Sequence, residues 1–241
     1  MTSSMMFQPP LVLDSNNGNA LKNFPITLRI YSAASDKQDL YRLRYRAFRH
    51  AGWIEESPSE EFIDRYDGLA STFAVGAFHG GACAGTLRLA LGGAGEAPHS
   101  MPCEEQFSSE ILKLSALRPQ RLIEFSRMAV EPSTINTSFK TTLYASLVRA
   151  GFLLTYAADV QIALIAVHKK TSPFYQAMCG FKVLGESASY AGIAEPTHFL
   201  GREVRALDER RQGRNAFFSF SQEEVDRARQ IFASAKCQAA A

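Results

Sequence analysis

Arg121-Leu-Ile-Glu-Phe-Ser-Arg-Met-Ala-Val130 is the stretch on which the reading of this chain turns. Ile123, Phe125, Met128 and Val130 call for a core, whereas Glu124 and Arg127 are almost never fully buried unless paired. Strand alternation puts Glu124 and Ser126 on one face and Phe125 and Arg127 on the other. Acid and base therefore point to opposite sides unless a bulge re-aims one of them, and bulges are over-represented beside active sites. The competing reading is an edge strand whose two charges snorkel to water.

Outward from that strand, the chain alternates strand and helix signals. Ile26–Tyr31 alternates apolar and polar residues as a half-buried strand does. Ser35-Asp-Lys-Gln38 has the form of a capping box opening a helix. Leu40, Leu43 and Ala47, with Tyr41, Tyr45 and Phe48, give that helix an apolar stripe, and Gly52 stops it. Thr72–Phe78 and Ala82–Ala90 read as a hairpin about His79-Gly80-Gly81, followed by a Gly/Ala/Pro/Ser loop up to the Arg121 strand. After it come a helix over Thr142–Ala158, an interior strand over Val160–Val167 and a short helix over Ser172–Met178. Strands from Phe181 and over Thr197–Val204 follow, and Ser221-Gln-Glu-Glu224 caps a last helix. One mixed α/β domain with helices on the faces of a central sheet accounts for this order.

Composition excludes more than it selects. The chain has 241 residues, 46% of them apolar, with 26 Lys and Arg against 24 acids. No global field points to nucleic acid or a membrane surface. Cys83, Cys103, Cys179 and Cys237 show no metal-ligand spacing, so no metal is expected and reduced thiols are. No signal peptide and no run near the ~20 apolar residues of a spanning helix is legible, which leads to the expectation of a cytoplasmic protein.

The element order, with Phe174-Tyr175-x-x-x-x-Gly180-Phe181 near its end, resembles the GNAT acyltransferase fold: a central mixed, twisted sheet with helices on both faces. The glycine-containing pyrophosphate loop usual in that fold is missing. Val130-Glu-Pro-Ser-Thr-Ile-Asn-Thr-Ser-Phe-Lys140 stands in its place, which argues against acetyl-CoA as donor. Two related families use an acyl carrier protein instead. Arg44-x-x-x-Phe48, Trp53, Asp64-x-x-Asp67, Gly85-x-x-Arg88 and Glu124-x-Ser126-Arg127-x-Ala129-Val130 resemble the acyl-homoserine-lactone synthases. His168 to Tyr175, Gly180 to Glu186, Tyr190-x-Gly192 and Pro196 are more similar to the long-chain N-acyl amino acid synthases, as is Met128 after Arg127. The resemblance covers about Tyr31 to Val204. It divides the chain into an N-terminal arm (1–24, expected to be flexible), an acyltransferase domain (25–206) and a C-terminal helical extension (207–241).

That second family implies transfer of a long acyl chain from acyl-phosphopantetheine on acyl carrier protein to the amine of a small amino acid, with no bound cofactor. The ammonium must first lose a proton, and Glu124 on an apolar strand is the candidate base. Tyr175 is the candidate donor to the departing thiolate, and backbone N–H groups over Met128, Ala129 and Val130 are candidates for the developing oxyanion. Arg44, Asp64, Asp67, Arg88 and Arg127 would surround the acceptor, with Arg suited to its carboxylate; alternatively they form a structural ion-pair lattice. Phe48 and Trp53 would either close over substrate or belong to the core. Ser126 has no His/Asp partners in the pattern and is read as a hydrogen-bonding group, not a nucleophile. Phe125, Leu143, Leu147, Val148 and Phe152, with Met128, would line an acyl tunnel or simply pack. Lys140, Arg149, Lys169 and Lys170, with Lys113, Arg118 and Arg121, would meet an acidic carrier or be ordinary solvated charges. A lactone synthase using S-adenosylmethionine, and a non-catalytic acyl-carrier- or lipid-binding protein, stay open as alternatives.

Overall fold

Two glycines with positive φ, Gly80 (+58°) and Gly81 (+84°), close the hairpin between β3 (Thr72–His79) and β4 (Ala82–Gly93), the conformation that a two-residue primed turn demands. This hairpin is the middle of an eight-stranded sheet in a computed structural model that describes residues 11–14, 24–116, 119–134, 136–193, 195–204 and 219–239. The order is β1-β2-β3-β4-β5-β6-β8-β7, with β1 at Leu11–Asp14, β2 at Thr27–Tyr31, β5 at Arg121–Val130, β6 at Ile162–His168, β7 at Lys182–Ser187 and β8 at Thr197–Glu203. All neighbours are antiparallel except β5 and β6. Their parallel register runs only from Leu122↔Ile162 to Phe125↔Ile165. Beyond Phe125, β5 continues beside β4 and β6 continues beside β8. The sheet parts at that point, and the outer half of β5 faces the gap.

Helices cover both faces. On one lie α1 (Gln38–His50), α2 (Cys103–Gln106) and α3 (Ser108–Ser115); Leu40 packs with Tyr31, Ala74 and Phe78, and Cys103, Phe107 and Ile111 pack on Leu122 and Leu164. On the other lie α4 (Thr137–Ala157), α5 (Ser172–Cys179) and α6 (Gln222–Ala239), around a core that includes Phe73, Leu87, Phe125, Leu147 and Phe152. Gly180, at φ +71°, ends α5 as a left-handed cap. The expected box at Ser221 forms with reciprocal bonds, Ser221 N–H to Glu224 Oε2 (2.9 Å) and Glu224 N–H to Ser221 Oγ (3.1 Å).

Four local expectations differ from the structure. Within the expected N-terminal arm, Leu11–Asp14 is a strand added to the sheet edge beside β2. The expected loop before β5 contains α2 and α3, short helices that hold through Met101, Cys103, Phe107 and Ile111 packing on the sheet instead of through intrinsic propensity. The Ser35 box does not form: Ser35 bonds back to Ser32, and α1 begins later, at Gln38. Asn136 starts α4 five residues ahead of Thr142 by accepting the N–H of Phe139 (3.0 Å). The boundary expected at 206/207 falls outside the described residues.

Candidate active site

The question posed by Glu124 and Arg127 is resolved by a bulge. Arg88 faces Ser126 and Thr86 faces Ala129, so Arg127 and Met128 together oppose Leu87. Arg127 sits at φ +53°, a left-handed conformation that a non-glycine residue holds only at a cost of about 1–3 kcal/mol. The extra residue breaks the alternation and returns the Arg127 side chain to the face that carries Arg88 and Ser126.

There it meets a short 3-10 helix, Arg65–Gly68, whose start explains the Asp64-x-x-Asp67 spacing. Asp64 accepts the N–H of Tyr66 (2.9 Å), and Asp67 reaches back to the N–H of Asp64 (3.1 Å), forming a carboxylate capping box. The same two carboxylates take three guanidinium groups. Asp64 receives Arg88 Nη1 and Arg127 Nη2, both at 2.6 Å, and Asp67 receives Arg44 Nη1 at 2.7 Å. Arg88 Nε also donates to Ser126 Oγ (3.0 Å). Burial works against charge on both aspartates, but the guanidinium groups of Arg88 and Arg127 hold Asp64 far below the usual carboxylate range, and those of Arg44 and Arg88 hold Asp67 down. Both Arg44 and Arg88 are 0% exposed. Even so, Arg44 Nε and Nη2 and Arg88 Nη2 have no hydrogen-bond partner among the described residues. The network thus holds more buried cationic donors than its own carboxylates use.

Glu124 lies on the same face, two residues before Ser126, and is 0% exposed. Its Oε1 accepts the Tyr190 hydroxyl at 2.5 Å and its Oε2 accepts the Cys103 N–H at 2.8 Å. Burial raises its pKa, opposed by these donors and by Arg88. A raised carboxyl pKa held by a specific donor is the kind of perturbation that concentrates at functional sites.

The remaining sequence candidates separate into groups. Phe48 is buried and packs on Trp53 (5.7 Å) and Phe62 (5.3 Å), and Phe62 in turn lies under the Arg127 guanidinium at 4.5 Å. Phe125, Leu143, Leu147, Val148, Phe152 and Val130 share the core on the α4 face, with Met128 and Tyr175 packed against it; Ala129 of β5 is buried but lies outside that core. Tyr175 is thus grouped with the candidate acyl-chain residues, and the phenol on Glu124 is Tyr190. Burial pushes the Tyr175 hydroxyl well up, so it keeps its proton at neutral pH. Among the basic candidates, Arg149 is engaged by Glu224 (2.7 Å) and lies over Phe220, and Lys169 pairs with Glu186 (2.9 Å). Lys140 is half-buried on α4 and Lys170 is exposed. Among the described residues no cluster of His, Cys, Asp and Glu is arranged to hold a metal, and no helix is long and apolar enough to cross a membrane.

Sequence reasoning passed over four contributors. Tyr190 arrives from a segment 66 residues beyond Glu124, and Cys103 contributes a backbone N–H that any residue would supply. Phe62 had no periodic neighbour to mark it. Lys37 is buried with Nζ on the Asp67 carbonyl (2.7 Å), and burial lowers its pKa to about 8 against the pull of Asp67. Tyr190-x-Gly192 entered only as part of the family resemblance, which gave Tyr190 no role.

A parted mixed sheet with a buried carboxylate and a guanidinium network at the parting defines an acyltransferase of the GNAT type. Residues 39–203, more than half of the chain, match the family model of FeeM, N-acyl amino acid synthase, and the chain belongs to that family. Among solved structures, FeeM itself, an N-acyl amino acid synthase from uncultured soil microbes, superposes with a TM-score of 0.59 at 20% identity, over 74% of this chain and 90% of FeeM. The acyl-homoserine-lactone synthase LasI gives 0.58 at 16% identity over 83% and 99%. BjaI, a CoA-dependent acyl-homoserine-lactone synthase, gives 0.50 at 18% over 88% and 97%. At these identities the solved structures speak to the fold alone. No curated protein matches the sequence.

Proposed function

We propose that the protein transfers a long-chain acyl group from the phosphopantetheine thioester of acyl carrier protein to the amine of an amino acid. The observation that carries this reading is the pairing of buried Glu124, whose pKa burial raises, with a guanidinium network that has donors to spare. An amino acid brings both complements. Its carboxylate satisfies Arg donors in bidentate fashion, and its ammonium gives up a proton to Glu124, directly or through one water. The free amine then attacks the thioester carbonyl. A C–N bond forms and the C–S bond breaks; Glu124 holds the first ammonium proton, and the second passes from nitrogen to the departing thiolate, with Tyr175 as the candidate relay, leaving an amide and a free thiol. Backbone N–H groups of Met128 to Val130, on the edge of β5 that faces the parting, are the candidates for the oxyanion.

The donor assignment rests on the segment ahead of α4. Glu131 there is tied to Arg46 (2.6 Å), and the α4 N-terminus is capped by Asn136. A CoA pyrophosphate would meet a carboxylate, and a capped helix start, where the usual loop offers free backbone donors. A carrier-protein donor implies a reaction in the cytoplasm.

Mass spectrometry of lipid extracts from cells expressing the wild type and Glu124→Gln tests the acceptor, and purified enzyme given acyl carrier protein or CoA thioesters tests the donor. An N-acyl amino acid present only with the wild type is the expected product. An acyl-homoserine lactone would instead favour the synthase reading that LasI represents. A CoA thioester used as well as the carrier-bound one would overturn the donor.

A further inference from the structure

The loop between β7 and β8 contains a tight turn that reaches Glu124 and Arg127 of β5. Tyr190 and Ile193 exchange two backbone hydrogen bonds (2.9 and 3.0 Å), and the residues between them, Ala191 and Gly192, have φ of +48° and +84°. This is the signature of a type I′ turn, which needs positive φ at both central positions and favours Asn or Gly at the first. Alanine is held there against its preference. Its carbonyl accepts Arg127 Nη2 at 2.8 Å, so one left-handed non-glycine residue is bonded to another. Such conformations persist where surrounding contacts over-determine them, and they concentrate at functional sites. One residue earlier, the Tyr190 hydroxyl sits 2.5 Å from Glu124 Oε1.

We propose that the Tyr190–Ile193 turn is a clamp on the site, in which Tyr190 is a positioning residue that holds Glu124 in its ionised, proton-accepting form while the Ala191 carbonyl fixes Arg127. The inference deepens the reading of Glu124 as the base and rests on it. The groups that face Glu124 are Tyr190 from the turn, the Cys103 amide and thiol from α2, Arg88 from β4 and, farther off, Tyr66 from the 3-10 helix. Arg88 spends Nη1 on Asp64 and Nε on Ser126, and the Cys103 amide is fixed backbone. Burial favours the protonated carboxyl. The Tyr190 hydroxyl is the short donor that opposes this and that can be deleted with no change in backbone or ring packing against Phe107.

The test is a carboxyl 13C NMR titration of the full chain labelled in glutamate, with Glu124 assigned from Glu124→Gln, alongside kcat/KM against pH. Removing the donor in Tyr190→Phe should raise the Glu124 midpoint by about one to two pH units, the size of a hydrogen bond to a charged group. The acidic limb of the rate profile should rise with it. A folded Tyr190→Phe whose midpoint and limb stay in place overturns the clamp. The two readings separate cleanly. If the midpoint moves but Glu124→Gln remains fully active, the clamp stands and the base assignment falls. Should Tyr190→Phe not fold, 3-fluorotyrosine in the wild-type chain supplies a more acidic phenol and should lower the midpoint; no change there also overturns the proposal.

Discussion

Arg88 and Ser126 stand opposite each other on β4 and β5, joined by a 3.0 Å bond, and they are the last regular pair before the bulge that turns Arg127. Regular pairing up to Ser126 keeps Glu124 on the face of Arg88, and one extra residue beyond it brings Arg127 to the same face. A strand without that residue would present the acid and the base to different halves of the molecule.

Asp64 joins Arg88 to Arg127, so Asp64→Asn should leave two largely buried guanidinium groups short of a counter-charge. A loss of roughly 3–5 kcal/mol in urea unfolding at pH 7 is expected. Arg42→Ala, which breaks the exposed 3.6 Å pair with Glu61, should cost within ~0.5 kcal/mol. Because the folded pKa of Asp64 is depressed, its contribution is present above the unfolded value near ~3.9 and is lost as pH falls below it. The variant should therefore show a shallower loss of stability between about pH 4 and pH 2 than the wild type does. Equal acid limbs would remove Asp64 from this role.

Glu124→Gln should lower kcat by about 10²–10⁴-fold, the usual share of a general base. Its stability should change with pH in the opposite sense to Asp64→Asn. The Glu124 pKa is raised from 4.5, so the stability it contributes is present below that value and fades as pH rises through the folded pKa. Melting curves at pH 4 and pH 8 should show the variant gaining on the wild type at the higher pH.

Much of this was legible in the chain because it is local. The Gly80-Gly81 turn, the Arg121–Val130 strand, the Gly180 cap and the Ser221 box each follow from residues that lie next to one another. The polar residues of the network could be picked out, and strand alternation even framed the alternative of a bulge. What the sequence could not disclose was made by distant contacts. α2 and α3 exist through burial on Leu122 and Leu164, Lys37 is drawn in by the Asp67 carbonyl, and Ser35 turns back to Ser32 while α1 starts at Gln38. Tyr190 became visible only once β7 and β8 had folded back toward β5.

The basic candidates for carrier docking now divide by their partners. Lys140→Glu together with Lys170→Glu should raise KM for the acyl-carrier substrate several-fold with melting temperature unchanged. Arg149→Ala should instead lower the melting temperature and leave KM alone, since its bond to Glu224 and its place over Phe220 tie α6 to α4. A KM change in Arg149→Ala alone would reverse this division.

Gly151 on α4 leaves room for the Phe125 ring. A Cβ there would stand 2.7 Å from Phe125 Cε2 and 3.0 Å from Leu87 Cδ2. Alanine gains about 1 kcal/mol of helix propensity, but overpacking a filled core costs about 1–3 kcal/mol, so Gly151→Ala should be neutral to destabilising by up to ~2 kcal/mol. If Phe125 borders the acyl chain, the product profile should also move to shorter chains, which mass spectrometry would read.

Phe73, on β3, finds its ring partner in Phe232 of α6, 4.5 Å away and close to the opposite end of the sequence. A growing chain emerges from the ribosome in order, and the apolar face of β3 is made early. α4 can pack on that face first, and Phe73 lacks its ring partner until α6 follows. The interval between the two helices leaves that part of the core open to aggregation and to chaperone capture.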